Sequence, residues 1–195
     1  MFSKSLHCFL SIPSNKYGLV GAQPFVVFFF SSFYNPGQRK HTTMQNMSEK
    51  MWKRHANPWS VWTRFAAIPA FMLAVWSRVW IGSWAWAPII VVVIWLYLNV
   101  LVFPPIETPV SWASKGIYGE QLWLKKRAEL PNHYDVIQKW LIILGLIGMV
   151  MIGIGLYQLH FWLCLLGAVT LILAQLWRMD RFSTLYDLLN EKGLA

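Results

Sequence analysis

Acid is scarce in this chain. Eight Asp and Glu stand against 17 Lys and Arg in 195 residues, and residues 1–48 contain none at all. Charge of either sign is thin, at 13% of residues, where an average soluble domain carries about 25%. Only two cysteines occur, Cys8 and Cys164, with no CxxC pair, so neither a disulfide framework nor a zinc site is supported. Cys164 lies inside an apolar run and reads as a small buried apolar residue. The five histidines include no pair three or four residues apart and no HExxH, which removes metal-ligand spacing and with it a histidine-rich di-iron membrane enzyme. No GxSxG, Walker loop or GxGxxG is present, and no cofactor is implied.

What fills the chain instead is apolar. Hydrophobic residues make up 56%, and 13 of the residues are Trp, many near the ends of apolar stretches. The indole ring, apolar with one N–H, favours the membrane–water interface. The net charge of +9 sits beside apolar spans. It therefore reads as topology determinants and lipid headgroup contacts rather than a nucleic-acid surface.

The longest apolar run settles most of the architecture. Residues 140–177 carry no formal charge. As one straight helix they would reach about 57 Å, nearly twice the hydrocarbon thickness of about 30 Å, so the run must fold into a hairpin. The polar break Tyr157-Gln158-Leu159-His160 divides it into spans of about 140–156 and 161–178. Upstream, Asn57 can cap a helix that begins at Pro58. A first span covers about 58–78. Trp76, Trp80, Trp84 and Trp86 cluster around a tight turn at Gly82-Ser83, and a second span covers about 87–103 before Pro104 and Pro105 stop it. Pro69 is tolerated within the first span if neighbours satisfy the freed carbonyl.

The fold class expected is thus all-α and integral to the membrane: four transmembrane helices arranged as two hairpins. Basic residues set the orientation. Lys50, Lys53 and Arg54 precede the first span. Lys115, Lys125, Lys126, Arg127 and Lys139 fill the 104–139 loop, and Arg178, Arg181 and Lys192 follow the last span, whereas the two short turns share only Arg78. Both termini and the long loop are therefore expected in the cytoplasm (N-in, C-in). The loop can hold an interfacial helix, since Ile117, Leu122, Trp123 and Leu124 alternate with polar residues. After Trp177 the helix is expected to continue into water, with Met179, Phe182, Leu185 and Leu189 on its apolar face and Arg178, Asp180, Arg181 and Asp187 on the others.

Residues 1–50 stand apart. Their short apolar run Phe25–Phe30 cannot span a bilayer. The segment reads as a disordered stretch, a targeting segment, or an extension upstream of a start at Met44, Met47 or Met51. The last is preferred, leaving 51–195 as one transmembrane domain.

Topology gathers the polar residues at the cytoplasmic face: His55, Asn57, Arg64, Glu120, Asp180 and Arg181 form the candidate site, with His133 and Asp187 near it. Such a cluster can bind an anionic headgroup or small anion through Arg64 and Arg181. The plainer reading is snorkelling side chains and ion pairs that fix topology. Arg64 is costly inside a span, and Asp180 would offset it by tying the first span to the fourth. Asn99 and Gln175 read as interhelical hydrogen-bonding residues. Gly145, Gly148 and Gly155 share a face that lets another helix approach, the basis for expecting a homo-oligomer. Spans two to four hold no mid-membrane charge, which weakens a transporter reading.

The run His55-Ala56-Asn57-Pro58-Trp59-Ser60-Val61-Trp62-Thr63-Arg64, with Phe103-Pro104-Pro105, Trp177, Asp180-Arg181 and Leu185-Tyr186-Asp187, resembles a family of small prokaryotic integral membrane proteins catalogued only as a domain of unknown function. The resemblance covers residues 51–190 and leaves 1–50 outside. It implies a prokaryotic cell-membrane protein with no assigned activity and transfers no catalytic residue. Together these features lead to a non-enzymatic structural or accessory membrane protein, embedded in the lipid bilayer as a homo-oligomer or part of a larger complex. A headgroup-binding protein or membrane enzyme at the cytoplasmic interface is the alternative, and a small transporter the third.

Overall fold

Apolar runs punctuated by Pro, Gly and Asn break into helices where those residues dictate. A computed structural model describes residues 49–126, 130 and 132–193, and every regular element among them is helical. Residues 1–48 of the expected N-terminal extension, with Cys8, lie outside the described residues, as do Arg127, Glu129 and the His133 side chain, while its last two residues, Glu49 and Lys50, belong to a helix. Six helices carry the fold: α1 (Glu49–His55), α2 (Pro58–Trp76), α3 (Trp86–Val102), α4 (Trp112–Lys126), α5 (Asn132–Gln158) and α6 (Phe161–Glu191).

Asn57 starts α2 as expected. Its backbone is extended, and its side chain accepts from the Trp59 N–H at 3.0 Å, with Pro58 first in the helix. One helical turn, Arg78–Ile81, and a 3₁₀ turn, Gly82–Ala85, then reverse the chain. Gly82 makes the reversal possible because its φ is 57° with ψ −129°, a backbone open only to glycine. Phe103 leaves α3 in extended conformation before Pro104. The second reversal uses Leu159 at φ 56° and His160, whose ring nitrogen accepts from the Leu163 N–H at 3.2 Å.

By length and composition, three helical stretches can cross a membrane: Pro58–Val102, Tyr134–Gln158 and Phe161–Glu191. The first is a hairpin, because the start of α2 bonds the end of α3. Asn57 Nδ2 donates to the Pro104 carbonyl at 3.1 Å, and Ser60 and Thr63 bond Asn99. α5 and α6 form the second hairpin. Gly148 and Gly155 lie on it because a Cβ at Gly148 would meet the Leu171 N at 2.7 Å and the Gly167 O at 2.8 Å, and one at Gly155 the Cys164 N at 2.8 Å. The glycine face expected to receive a second copy is thus filled, at these two positions, by the chain's own next helix. Between lipid-exposed helices such close backbone approach supplies the van der Waals attraction that burial supplies in water. Ile68, Met72, Val75 and Trp76 of α2 pack on the core of this hairpin, around Ile152, Cys164 and Leu171.

α5 begins at Asn132, eight residues before the expected span, and α6 runs unbroken to Glu191. The loop expected to hold a helix does so, as α4. It lies against the lower part of α6, burying Ala113, Ile117 and Trp123 beside Met179 and Phe182. Gly116 and Gly119 allow this: a Cβ on Gly119 would run into the Phe182 backbone.

Candidate functional site

One end of the molecule collects the polar side chains, some at helix termini and some within the helices. α1 crosses the end of α3, with Arg54 donating to the Leu101 carbonyl at 2.6 Å. A cation there complements the unpaired carbonyls of a helix C-terminus. Lys53 adds an ion pair with Glu107, and the Ile106 N–H bonds the Lys53 carbonyl at 2.9 Å. At the opposite end Arg78 does the same for α5, donating to the carbonyls of Leu156 and Tyr157.

His55 closes α1 and is buried. Arg64, one turn and a half into α2, folds back onto it. Its guanidinium reaches the His55 ring nitrogens at 2.8 and 2.9 Å and donates to the His55 carbonyl at 3.0 Å, while Nε donates to the Ser60 carbonyl at 2.9 Å. A guanidinium can only donate, so the ring must accept and His55 must be neutral. Burial first, and the Arg64 charge second, hold the His55 imidazole well below its ordinary pKa of 6.5. The partner of the His55 ring is thus a cation rather than a carboxylate. Glu120 lies within electrostatic reach of Arg64.

Glu120 itself bonds Arg178, at 2.6 Å, with both side chains almost wholly buried. The Arg178 guanidinium also stands over the Phe182 ring, 5.3 Å from its centroid. Nearby, Trp123 Nε1 donates to Asp135 at 2.8 Å, joining α4 to α5.

Asp180 and Arg181 stand apart from this chain of contacts. Asp180 bonds Arg181 at 2.8 Å and accepts from Trp112 Nε1 at 3.4 Å, and both side chains are more than two-fifths exposed. The expected Arg64–Asp180 tie is therefore replaced. α6 is held to the rest through Arg178, because Asp180 sits two residues further round the helix and points to Trp112. Asn57 serves as a cap and a staple to Pro104, with no surface left toward solvent. Of the six candidate residues, His55, Arg64 and Glu120 belong to one network, Asp180 and Arg181 to another, and Asn57 to neither.

Arg178 was the residue that sequence reasoning put on the wrong face. The signal was present: Gln175, Arg178, Phe182, Leu185 and Leu189 recur at three- and four-residue steps, and all are buried. Asn99 was read correctly. It accepts from Ser60 Oγ and donates to Thr63 Oγ1, each at 2.6 Å, in a position with no solvent exposure. Among the described residues, no three His, Cys, Asp or Glu converge on a metal position.

Comparison with known proteins adds one finding. The model of the family of unknown function DUF6653 matches residues 39–194. No curated protein and no solved structure matches the chain.

Proposed function

This chain belongs to a family of unknown function, DUF6653, so no activity passes to it from relatives, and from the geometry we infer a non-enzymatic, multi-pass protein of the cell membrane with a structural or accessory role. Four spans in two hairpins, with both ends in the cytoplasm, fit its contacts. Among the described residues, the end of the molecule joined by Asn57–Pro104, Glu120–Arg178 and Trp123–Asp135 carries nearly all the basic residues, while the other end has Arg78.

One observation carries the functional reading: the side chains most able to do chemistry are turned onto each other. His55, Arg64, Glu120 and Arg178 link α1, α2, α4 and α6. A catalytic base needs access to a proton it abstracts; His55 spends its ring on Arg64 and is buried. The network's work is to lock the cytoplasmic ends of the helices into one arrangement, a surface on which a membrane partner or second copy can assemble.

Native mass spectrometry from gentle detergent tests this directly. A complex with another copy or another membrane protein is the expected result. A strictly monomeric chain, active in converting a lipid or small molecule, would sink the reading.

A second reading, recognition of an anionic headgroup at the same interface, draws on Arg181, whose side chain is 41% exposed beside Asp180. It requires that Arg181→Ala reduce the anionic lipid that co-purifies. Unchanged lipid would remove it.

A further inference from the structure

Helix α5 buries a single stripe at steps of three and four: Gln138, Leu141, Gly145, Gly148, Ile152 and Gly155. Gly148 and Gly155 place that stripe against α6, so Gln138 faces the same helix. The two helices run antiparallel. Gly148 meets Gly167 and Leu171, and Gly155 meets Cys164. Ten residues back from Gly148, Gln138 therefore stands level with residues 177–181, where Arg178 bonds Glu120. Asp135, one turn before Gln138, holds Trp123 of α4, itself one turn beyond Glu120. Three helices meet in this layer.

Gln138 is 1% exposed, and neither its Nε2 nor its Oε1 has a hydrogen-bond partner in the protein. Gln175, one turn before Arg178 and 2% exposed, leaves its Oε1 in the same condition. Buried carboxamides are almost always hydrogen-bonded, and an apolar residue of the same size would serve better if they were not. Two such groups about one helical turn apart along the hairpin, beside a buried ion pair, call for a guest.

We propose that this layer binds a small uncharged hydrogen-bonding molecule, an internal water or a solute of the same donor and acceptor character. The chemistry of the walls defines it. The guest must give hydrogens to the Gln138 and Gln175 oxygens and accept from the Gln138 amide. An uncharged guest suits the layer, because the buried charges there, Glu120 and Arg178, already pair with each other. An acyl chain cannot enter on these terms, since it neither donates nor accepts.

The test uses the full chain in mild detergent. Hydroxyl radicals generated by X-rays in ¹⁸O-water label residues beside bound water, even buried ones. Met179, Trp123 and Phe182, each 1% exposed, should, once scaled for the intrinsic radical reactivity of each residue type, be labelled at least several-fold more than Leu171 of the apolar core, which is 3% exposed, and Gln138→Met should abolish that excess. A resident solute would instead block labelling and appear as added mass in native mass spectra, lost in the same variant. Either pattern supports the site, and the pair distinguishes water from solute. No excess label and no added mass would overturn it, as would a rise in thermal midpoint for Gln138→Met. Should that variant fail to fold, Gln175→Met offers the same comparison, and the wild-type labelling stands without either.

Discussion

Removing Arg178 from its pair with Glu120 is the sharpest perturbation this structure offers. The Nη2–Oε1 distance is 2.6 Å, and the two side chains are 2% and 4% exposed. Arg178→Met leaves a carboxylate in a place water does not reach, a loss of about 3–5 kcal/mol. Glu120→Leu takes that carboxylate from the guanidinium instead. Its seat over the Phe182 ring returns about 0.5–2 kcal/mol of that, so this variant should suffer less. Replacing both with Leu and Met keeps the volume and removes both charges, which is often neutral or stabilising by about 1–4 kcal/mol. In thermal unfolding followed by size-exclusion in mild detergent, Arg178→Met should lose about 6–20 °C, at about 2–4 °C per kcal/mol. The double variant should return close to wild type. The coupling between the two positions is the quantity that matters. If both single variants stay near wild type, or if the double variant loses the sum of the singles, the pair does not tie α4 to α6, and the structural reading of the polar end fails with it.

Other consequences follow from the same contacts. Gly148→Ala should destabilise the chain itself by about 1–3 kcal/mol, since its Cβ meets backbone atoms of Gly167 and Leu171 that cannot move aside; a loss of association with unchanged thermal midpoint would instead put that face between copies. Arg78→Ala should cost about 0.3–2 kcal/mol, because the carbonyls of Leu156 and Tyr157 lose their cation, and faster proteolysis at the adjoining turn would register it. His55 makes stability depend on pH. The folded imidazole resists protonation while the unfolded one takes a proton near pH 6.5, so the unfolded state gains as pH falls from about 7 through the folded value. His55→Gln should flatten unfolding midpoints measured between pH 7 and pH 5, and a slope that persists in that variant would assign it to another group.

Much of this was legible in the residues. Punctuation read correctly wherever it acts locally: Asn57-Pro58 begins α2, Pro104 follows the end of α3, and Tyr157 to His160 divides the second hairpin, each within a few residues of the observed boundary. The aromatic and basic distributions were equally plain, because the polarity of a side chain is set before any contact forms. The misreadings share one cause. Arg178 was placed in water because it is charged, whereas it lies on the buried stripe with a carboxylate from a helix 58 positions away. Gly148 was offered to another molecule because a small residue on a helix face advertises close approach without naming the partner. Asp180 was matched to Arg64 by sign alone.

By itself, then, the sequence determined that this chain is built of helices, where most of them start and stop, which stretches are apolar enough to enter a membrane, and which end collects the charge. Those properties follow from local backbone preferences and from the partition of each side chain between water and hydrocarbon. Only the tertiary structure decided who meets whom: Glu120 with Arg178, Arg64 with His55, Asn99 with Ser60 and Thr63, and the glycines of α4 and α5 with α6. A pairing between distant positions depends on helix register and crossing, and these are settled by the packing of all the helices together. At the polar end the result is that His55, Arg64, Glu120 and Arg178 turn onto one another, while Asp180 and Arg181 stay at the surface.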